Sequence, residues 1–174
     1  MNDLFYRVRQ FKQAISAPEL SDAQLAEIQA ILSDREFVLF LKFDQGEQWH
    51  SYQVMRMLQD AGHAQPDLLQ AGLLHDVGKT RSPLSVWDRS LIVAVKKVMP
   101  EKTAVWGKDS EDGWKRPFVV KEQHPEWGAK MAEAAGSREL VVSLIRRHQD
   151  DLPEMADSEE DELLHLLQWA DDQN

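Results

Sequence analysis

The chain has 174 residues, no cysteine, and 30 acidic residues against 20 basic ones, so its formal net charge is −10. The lack of cysteine excludes disulfide scaffolds, thiolate metal sites and cysteine nucleophiles, so any metal must be bound by His, Asp or Glu. The negative charge argues against binding to long nucleic acids. No apolar run approaches the ~20 residues of a membrane span, and the charged first residues lack the apolar region of a signal peptide. We therefore expect a soluble, cytoplasmic protein.

Apolar residues recur mostly at helical spacing, which predicts an all-α fold of about seven or eight helices in one domain. Ser21 and Gln24 form a capping-box pattern that opens the second helix. An earlier helix, ending near Pro18, is predicted by the apolar stripe of Phe5, Val8, Phe11 and Ile15. Further helices are predicted over residues 48–61, 68–77, 86–98, 124–135, 138–149 and 159–171.

The pattern is least regular between residues 86 and 125. Residues 100–120 carry two glycines and mixed charges, which predicts a loop, with a weak strand pattern at 118–120. The next helix is predicted to begin at His124, because Pro125 suits the first helical position. The helix over 86–98 is apolar with basic residues at its end, so it could be an interfacial helix, a partner-binding helix or a buried lid helix. We favour the buried lid helix.

Six ionisable side chains lie on or beside the inward faces of five predicted helices. Asp171, for example, lies four residues after Leu167 and so points inward, whereas Asp172 falls on the polar side of its helix. The six residues are His50, His75, Asp76, His124, His148 and Asp171.

Each of these residues alone has an ordinary explanation, such as a hydrogen-bonded core histidine, a helix cap or a terminal charge. Together they are hard to explain by packing, because buried ionisable groups are unfavourable unless they are paired or bind a metal. Imidazole and carboxylate ligands suit iron, manganese, nickel or zinc. A metal bound there would convert a water molecule to hydroxide at neutral pH. The sequence therefore predicts a metal site, and a helical scaffold without metal is the alternative.

The segment AGLLHDVGKT around His75 and Asp76 resembles the core motif of the HD superfamily of metal-dependent phosphohydrolases, with Val77 where the HDIG form has Ile. The segments QWHSYQV, QHPEWGAKMAEAAG, IRRHQDD and LLQWADDQN match the rest of the family pattern in order and spacing. The resemblance implies an HD-domain helical bundle over residues 46–174. Residues 1–45 are then expected to be an N-terminal helical extension packed on it.

Within the family, members that carry both additional histidines resemble two-metal phosphodiesterases. The resemblance therefore implies two divalent transition metal ions. One would be held by His50, His75 and Asp171, the other by His124 and His148, with Asp76 as the bridge. The GYP motif of cyclic-di-GMP phosphodiesterases is missing from the chain, which counts against that substrate.

Charge is distributed unevenly along the chain. Residues 79–121 include 10 basic and 5 acidic residues, whereas residues 149–174 include 10 acidic residues and no Lys or Arg. A locally positive cover would steer a phosphate ester toward the site. The family uses the position of Lys79 as a phosphate contact, so Lys79 and Asp76 are the expected catalytic residues. Weaker candidates for substrate contacts, for which a solvated surface charge is the alternative, are Arg81, Lys115, Arg116 and Arg147.

The resemblance thus implies a metal-dependent phosphohydrolase or phosphodiesterase that acts on a small, nucleotide-like phosphate ester through a metal-activated hydroxide. The alternative is a nucleotide-binding sensor that keeps its metal without turnover. Trp49 and Trp127 are expected to wall the site, and Trp106 and Trp114 to pack rather than stack on a base. The sequence does not indicate an oligomeric state.

Overall fold

The computed structural model describes residues 17–110 and 112–174, so the helix predicted before Pro18 lies outside the described residues. The described part holds nine α-helices, one 3-10 helix and no strand, which confirms the all-α prediction. The α-helices are α1 (Asp22–Ile31), α2 (Asp34–Phe40), α3 (Gln45–Asp60), α4 (Pro66–Leu74), α5 (Val86–Val98), α6 (Pro100–Trp106), α7 (Arg116–Ala135), α8 (Glu139–Arg147) and α9 (Glu159–Asp172). The 3-10 helix (Val77–Arg81) follows α4. The helix predicted over 68–77 therefore ends earlier, at Leu74, and only Val77 of that range belongs to the 3-10 helix.

Local sequence signals set several of the helix boundaries. Ser21 caps α1 and forms the predicted capping box with Gln24. Pro66 occupies the first position of α4, where its missing N–H leaves no bond unmade. Gly136 ends α7 with a φ of 91°, a left-handed conformation that favours glycine.

The hydrophobic core surrounds α4, whose Leu68, Leu73 and Leu74 have no exposed surface. Helices α3, α8 and α9 pack against α4, and α7 packs on both α8 and the 3-10 helix. Ile28 of α1 and Phe40 of α2 belong to the same core cluster. The division of the chain at residue 45 remains a prediction.

The loop predicted over residues 100–120 is wrong in part, because α6 and the first turn of α7 lie within it. Residues 118–120, predicted as a weak strand, are helical and buried. Trp106 and Trp114 pack edge-on, with ring centroids 4.8 Å apart, and Trp106 also packs on Phe118. Packing among these aromatic rings outweighs the local glycine and charge signals.

The outer face of α5 contradicts the prediction of a buried lid helix. Ile92 is buried, but Trp87 and Val98 are 85% and 74% exposed. Together with the exposed Leu91 and Ala94 they form an apolar stripe at helical spacing. Within the described residues, no helix combines the length and apolar character that a membrane crossing requires.

Candidate metal centre

The fold brings the six predicted ligand residues together in two groups. His50, His75 and Asp171 form the first group, and Asp76, His124 and His148 form the second. Within each group, the candidate ligand atoms lie within 4.8 Å of one another. His50 projects from α3 and Asp171 from α9, whereas His75 and His148 directly follow α4 and α8.

Three buried imidazole rings are oriented by backbone carbonyls of their own helices. Nδ1 lies 2.9 Å from the Gly72 oxygen in His75 and 2.7 Å from the Ile145 oxygen in His148. His124 Nδ1 lies 2.9 Å from the Lys121 oxygen. Since a carbonyl can only accept, each Nδ1 carries a proton and each Nε2 is directed into the cluster. Metal-binding histidines are typically oriented in this way.

Pro125 lies inside α7 and leaves a backbone carbonyl for the ring of the neighbouring His124. The prediction that a helix begins at His124 is wrong, because α7 starts at Arg116 and continues through Pro125. A proline at this position cannot donate to the carbonyl of Lys121, four residues earlier. The ring of His124 contacts that carbonyl instead, and also lies 3.1 Å from the carbonyl of Val120. The proline therefore leaves an acceptor that orients a candidate ligand.

The two carboxylate oxygens of Asp76 face different groups. Oδ1 lies 3.1 Å from Nε2 of His124 and 3.7 Å from Nε2 of His148. Oδ2 lies 3.4 Å from Nε2 of His75 and 4.0 Å from Nε2 of His50. One carboxylate can therefore contribute an oxygen to each group.

The first group is completed by Asp171. Its Oδ1 lies 2.9 Å from Nε2 of His50 and 3.5 Å from Nε2 of His75. Nε2 of His75 is nevertheless buried and makes no hydrogen bond in the part of the chain that the structure describes. A buried ring nitrogen without a hydrogen bond, beside two carboxylates, is the arrangement that a metal ion would satisfy once the ring has lost its second proton. The donor set therefore fits a metal ion.

The carboxylates and histidines of this centre perturb one another's pKa values. Burial opposes the charged form of His75, but Asp76 and Asp171 outweigh it and raise the pKa of His75 well above its usual value. Burial also opposes the charged form of Asp171, yet the neighbouring His75 and His50 hold its pKa well below the usual range. Burial lowers the pKa of His148, which favours the neutral form that can bind a metal.

A close backbone contact positions Asp76 relative to His124. A Cβ atom on Gly78 would lie 2.0 Å from the carbonyl oxygen of His124 and 2.6 Å from the amide nitrogen of Gly128. Only glycine allows the 3-10 helix to approach α7 so closely. The glycine two residues after Asp76 therefore has a packing role in joining the two groups.

Lys79 contacts the centre, together with one residue that the sequence analysis missed. The ammonium of Lys79 hydrogen-bonds Oδ2 of Asp76 and lies 3.6 Å from Oε2 of Glu47. Glu47 is buried on α3. It lies three residues before His50, which places both side chains on the same face of α3, and that spacing was a usable signal.

The other predicted substrate contacts have partners outside the six-residue cluster. Arg147 binds Glu160 and Asp161 of α9 at 2.6 and 2.8 Å. The Arg81 guanidinium stacks over Trp127, 4.6 Å from the ring centroid. Lys115 contacts Asp109 at 2.5 Å, and Arg116 contacts Ser82, Pro83 and Asp88.

Solvent reaches the centre from one side. The side chains of His50, Asp171 and Lys79 are 23%, 32% and 31% exposed, whereas His75 and Asp76 are buried. A small molecule would therefore meet the first group and Lys79 before it meets the second group.

One protein family model covers the part of the chain that carries this site. The family model described as HD domain matches residues 49–172, a range that includes all six clustered residues. No curated protein and no solved structure matches the chain. The chain belongs to the HD domain family.

Proposed function

We propose that the chain is a metal-dependent phosphohydrolase or phosphodiesterase that acts on a small, nucleotide-like phosphate ester. The observation that carries the proposal is the position of Asp76, whose two oxygens face two separate groups of imidazole and carboxylate ligands. A carboxylate between two ligand groups is the arrangement that a two-metal site requires. Membership of a family that is largely hydrolytic supports the same reaction class.

Each group has the ligands for one divalent ion. His50, His75 and Asp171 would hold the first ion, His124 and His148 the second, and Asp76 would contact both. Nitrogen and oxygen ligands of this kind suit iron, manganese, nickel or zinc. Such ions supply Lewis acidity and an activated water for attack on phosphorus.

The charge of the centre explains why a cation is needed. Among the described residues of the centre, the three carboxylates of Asp76, Asp171 and Glu47 outnumber their cationic neighbours, the ammonium of Lys79 and the ring of His75. A phosphate ester would be repelled by that excess of negative charge. Lys79 lies at the exposed side of the centre, where its ammonium is placed to contact a phosphate oxygen and stabilise the charge that develops in the reaction.

Metal reconstitution followed by a substrate screen tests the proposal. The protein is stripped of metal, reloaded with manganese, iron, nickel or zinc, and assayed with phosphomonoesters, phosphodiesters and nucleotides. We expect turnover with at least one metal, and its loss in His75→Ala and Asp76→Asn. His63→Ala is the matched control, because His63 lies in a loop outside both groups.

The outcomes separate the alternatives. Tight nucleotide binding without turnover under any metal would favour the sensor and contradict the hydrolase. A folded protein that binds no metal under any condition would contradict both.

A further inference from the structure

Glu47 is a buried carboxylate whose position calls for a role. It is the third residue of α3, which begins at Gln45. In α1, α2 and α5 the third residue uses its side chain to close a capping box at the helix start. The carboxylate of Glu47 lies instead 3.6 Å from the ammonium of Lys79, at the edge of the metal centre.

The ammonium of Lys79 contacts the carboxylate oxygen of Asp76 that a metal ion in the first group would need. The contact is a hydrogen bond to Oδ2, the same oxygen that faces His50 and His75. A monovalent ammonium and a divalent ion on one carboxylate oxygen repel each other strongly inside a protein. An ion that enters the first group must therefore displace Lys79 from Asp76.

We propose that Glu47 is a positioning residue, the acceptor that takes the Lys79 ammonium when a metal ion takes Asp76. This inference rests on the proposed function, because it assumes that the first ligand group binds a metal. The geometry makes the transfer short. A charge-assisted N–H···O bond is about 2.8 Å long, so a shift of about 1 Å closes the 3.6 Å separation between Nζ and Oε2.

Electrostatics favour the same transfer. A lysine ammonium is charged at neutral pH, and the side chain of Lys79 is only 31% exposed. The ammonium therefore stays charged and needs a carboxylate partner wherever it lies. With a divalent ion on Asp76, Glu47 is the carboxylate already in its ion-pair range.

The transfer would link metal loading to readiness for substrate. Before loading, the Lys79 ammonium is tied to the carboxylate that the ions require. After loading, it lies on Glu47, and the partly exposed side chain of Lys79 can still meet a phosphate oxygen. The Lys79 stem is long and flexible enough for both positions.

The test measures Mn²⁺ affinity by calorimetry on the full chain, independently of turnover. In Glu47→Gln, Lys79 loses its alternative charged partner, and we expect the affinity for the first Mn²⁺ ion to fall about tenfold. Glu47→Asp keeps the negative charge but shortens the side chain by one methylene, so we expect nearly the same loss. An effect of the Glu47 charge alone would leave the Asp variant close to wild type.

The control is Glu36→Gln. Glu36 is also a buried carboxylate at the third position of its helix, where it closes a capping box with Ser33 and accepts a hydrogen bond from Ser137. It lies outside both ligand groups. We expect this variant to lose stability without any change in Mn²⁺ affinity, which separates a structural effect from a positioning effect.

The Lys79→Met variant tests whether Glu47 affects Mn²⁺ affinity through Lys79. Lys79→Met removes the competitor, so we expect it to bind the first ion more tightly than wild type. In that background, Glu47→Gln should change the affinity at least threefold less than it does in the wild type. A double-mutant cycle reports this coupling directly.

Three results would overturn the inference while leaving the proposed function intact. One is wild-type Mn²⁺ affinity in Glu47→Gln, and another is affinity close to wild type in Glu47→Asp. The third is an undiminished effect of Glu47→Gln in the Lys79→Met background. A wild-type protein that binds no Mn²⁺ and hydrolyses no phosphate ester would overturn the proposed function first, and this inference with it.

Discussion

Nε2 of His124 lies 3.2 Å from Nε2 of His148, and both nitrogens approach Oδ1 of Asp76. Each ring uses its Nδ1 proton on a backbone carbonyl. The second ligand group is therefore formed by side chains whose free nitrogens already converge. Only Asp76 among the six candidate ligands faces both groups. Substitution of any other ligand therefore tests one group at a time.

Removal of single ligands should separate the two ions. We expect His124→Ala to lose one ion and keep the other, and His50→Ala to do the reverse. Asp76→Asn should weaken both by more than about a hundredfold, since even residues that only support a ligand contribute 10–100-fold. Metal content after dialysis, together with calorimetric titration, measures the stoichiometry. One tightly bound ion retained in Asp76→Asn would contradict the bridging position.

Replacement of Pro125 should improve the helix and weaken the centre. In Pro125→Ala the new N–H can donate to the carbonyl of Lys121, which His124 now contacts. A proline in a helix interior costs up to about 3 kcal/mol, so we expect a gain of about 1–3 kcal/mol in the free energy of unfolding. The second ion should bind more weakly, because Nδ1 of His124 would share its acceptor. Urea unfolding and Mn²⁺ titration measure the two effects, and an unchanged affinity would show that the ring does not depend on this carbonyl.

Gly78 should be far less tolerant of substitution than Gly72. In Gly78→Ala the added Cβ would lie 2.0 Å from a backbone oxygen that cannot easily move, so we expect a loss of about 3 kcal/mol or more. In Gly72→Ala the nearest atom is 3.3 Å away, at the end of the Leu58 side chain. The helix interior favours Ala by about 0.5–1 kcal/mol, so the net change there should be near zero. Equal stability of the two variants by urea unfolding would contradict the close approach.

Arg147 should contribute to stability in a pH-dependent way. Hydrogen bonds from Ser143 and Arg147 lower the pKa of Glu160 below its ordinary 4.5. A depressed carboxyl pKa stabilises the fold above the unfolded pKa, and this stability is lost as the pH falls through the folded pKa. Arg147→Met should therefore lower the free energy of unfolding at neutral pH, and its difference from wild type should shrink below about pH 4.5.

The same variant decides between two roles for Arg147. If the guanidinium mainly joins α8 to α9, the KM for the hydrolysed ester should stay unchanged in Arg147→Met. A raised KM with unchanged stability would support the substrate contact predicted from the sequence.

The clustering of the six candidate ligand residues could be predicted because two independent signals coincide there. Helical spacing places polar groups such as Asp171 on apolar faces, and the motif at His75 and Asp76 gives their order along the chain. Glu47 was missed because a charged residue at the start of a helix is ordinarily explained by the helix dipole. The spacing of three residues before His50 places Glu47 on the ligand-bearing face of α3, but no local pattern reports its ion pair with Lys79, which lies farther along the chain.

The errors in the middle of the chain have a related cause. Pro125 carries a local signal for a helix start, yet α7 continues through it, and His124 contacts the carbonyl that the proline leaves without a donor. The apolar pattern of α5 indicates an amphipathic helix correctly. Periodicity alone does not tell which face is covered, and here Trp87 and Val98 lie on the solvent side.

Three imidazole rings of the centre contact backbone carbonyls three residues before them in the chain. This arrangement bears on how the protein acquires its ions. The orientation of these rings follows from helix geometry at Gly72, Lys121 and Ile145, through contacts that do not involve an ion. We therefore expect loss of the ions to remove their binding free energy without unfolding the chain. The protein should be able to exchange one metal for another while folded, so its metal content should follow supply rather than the conditions under which the chain folded.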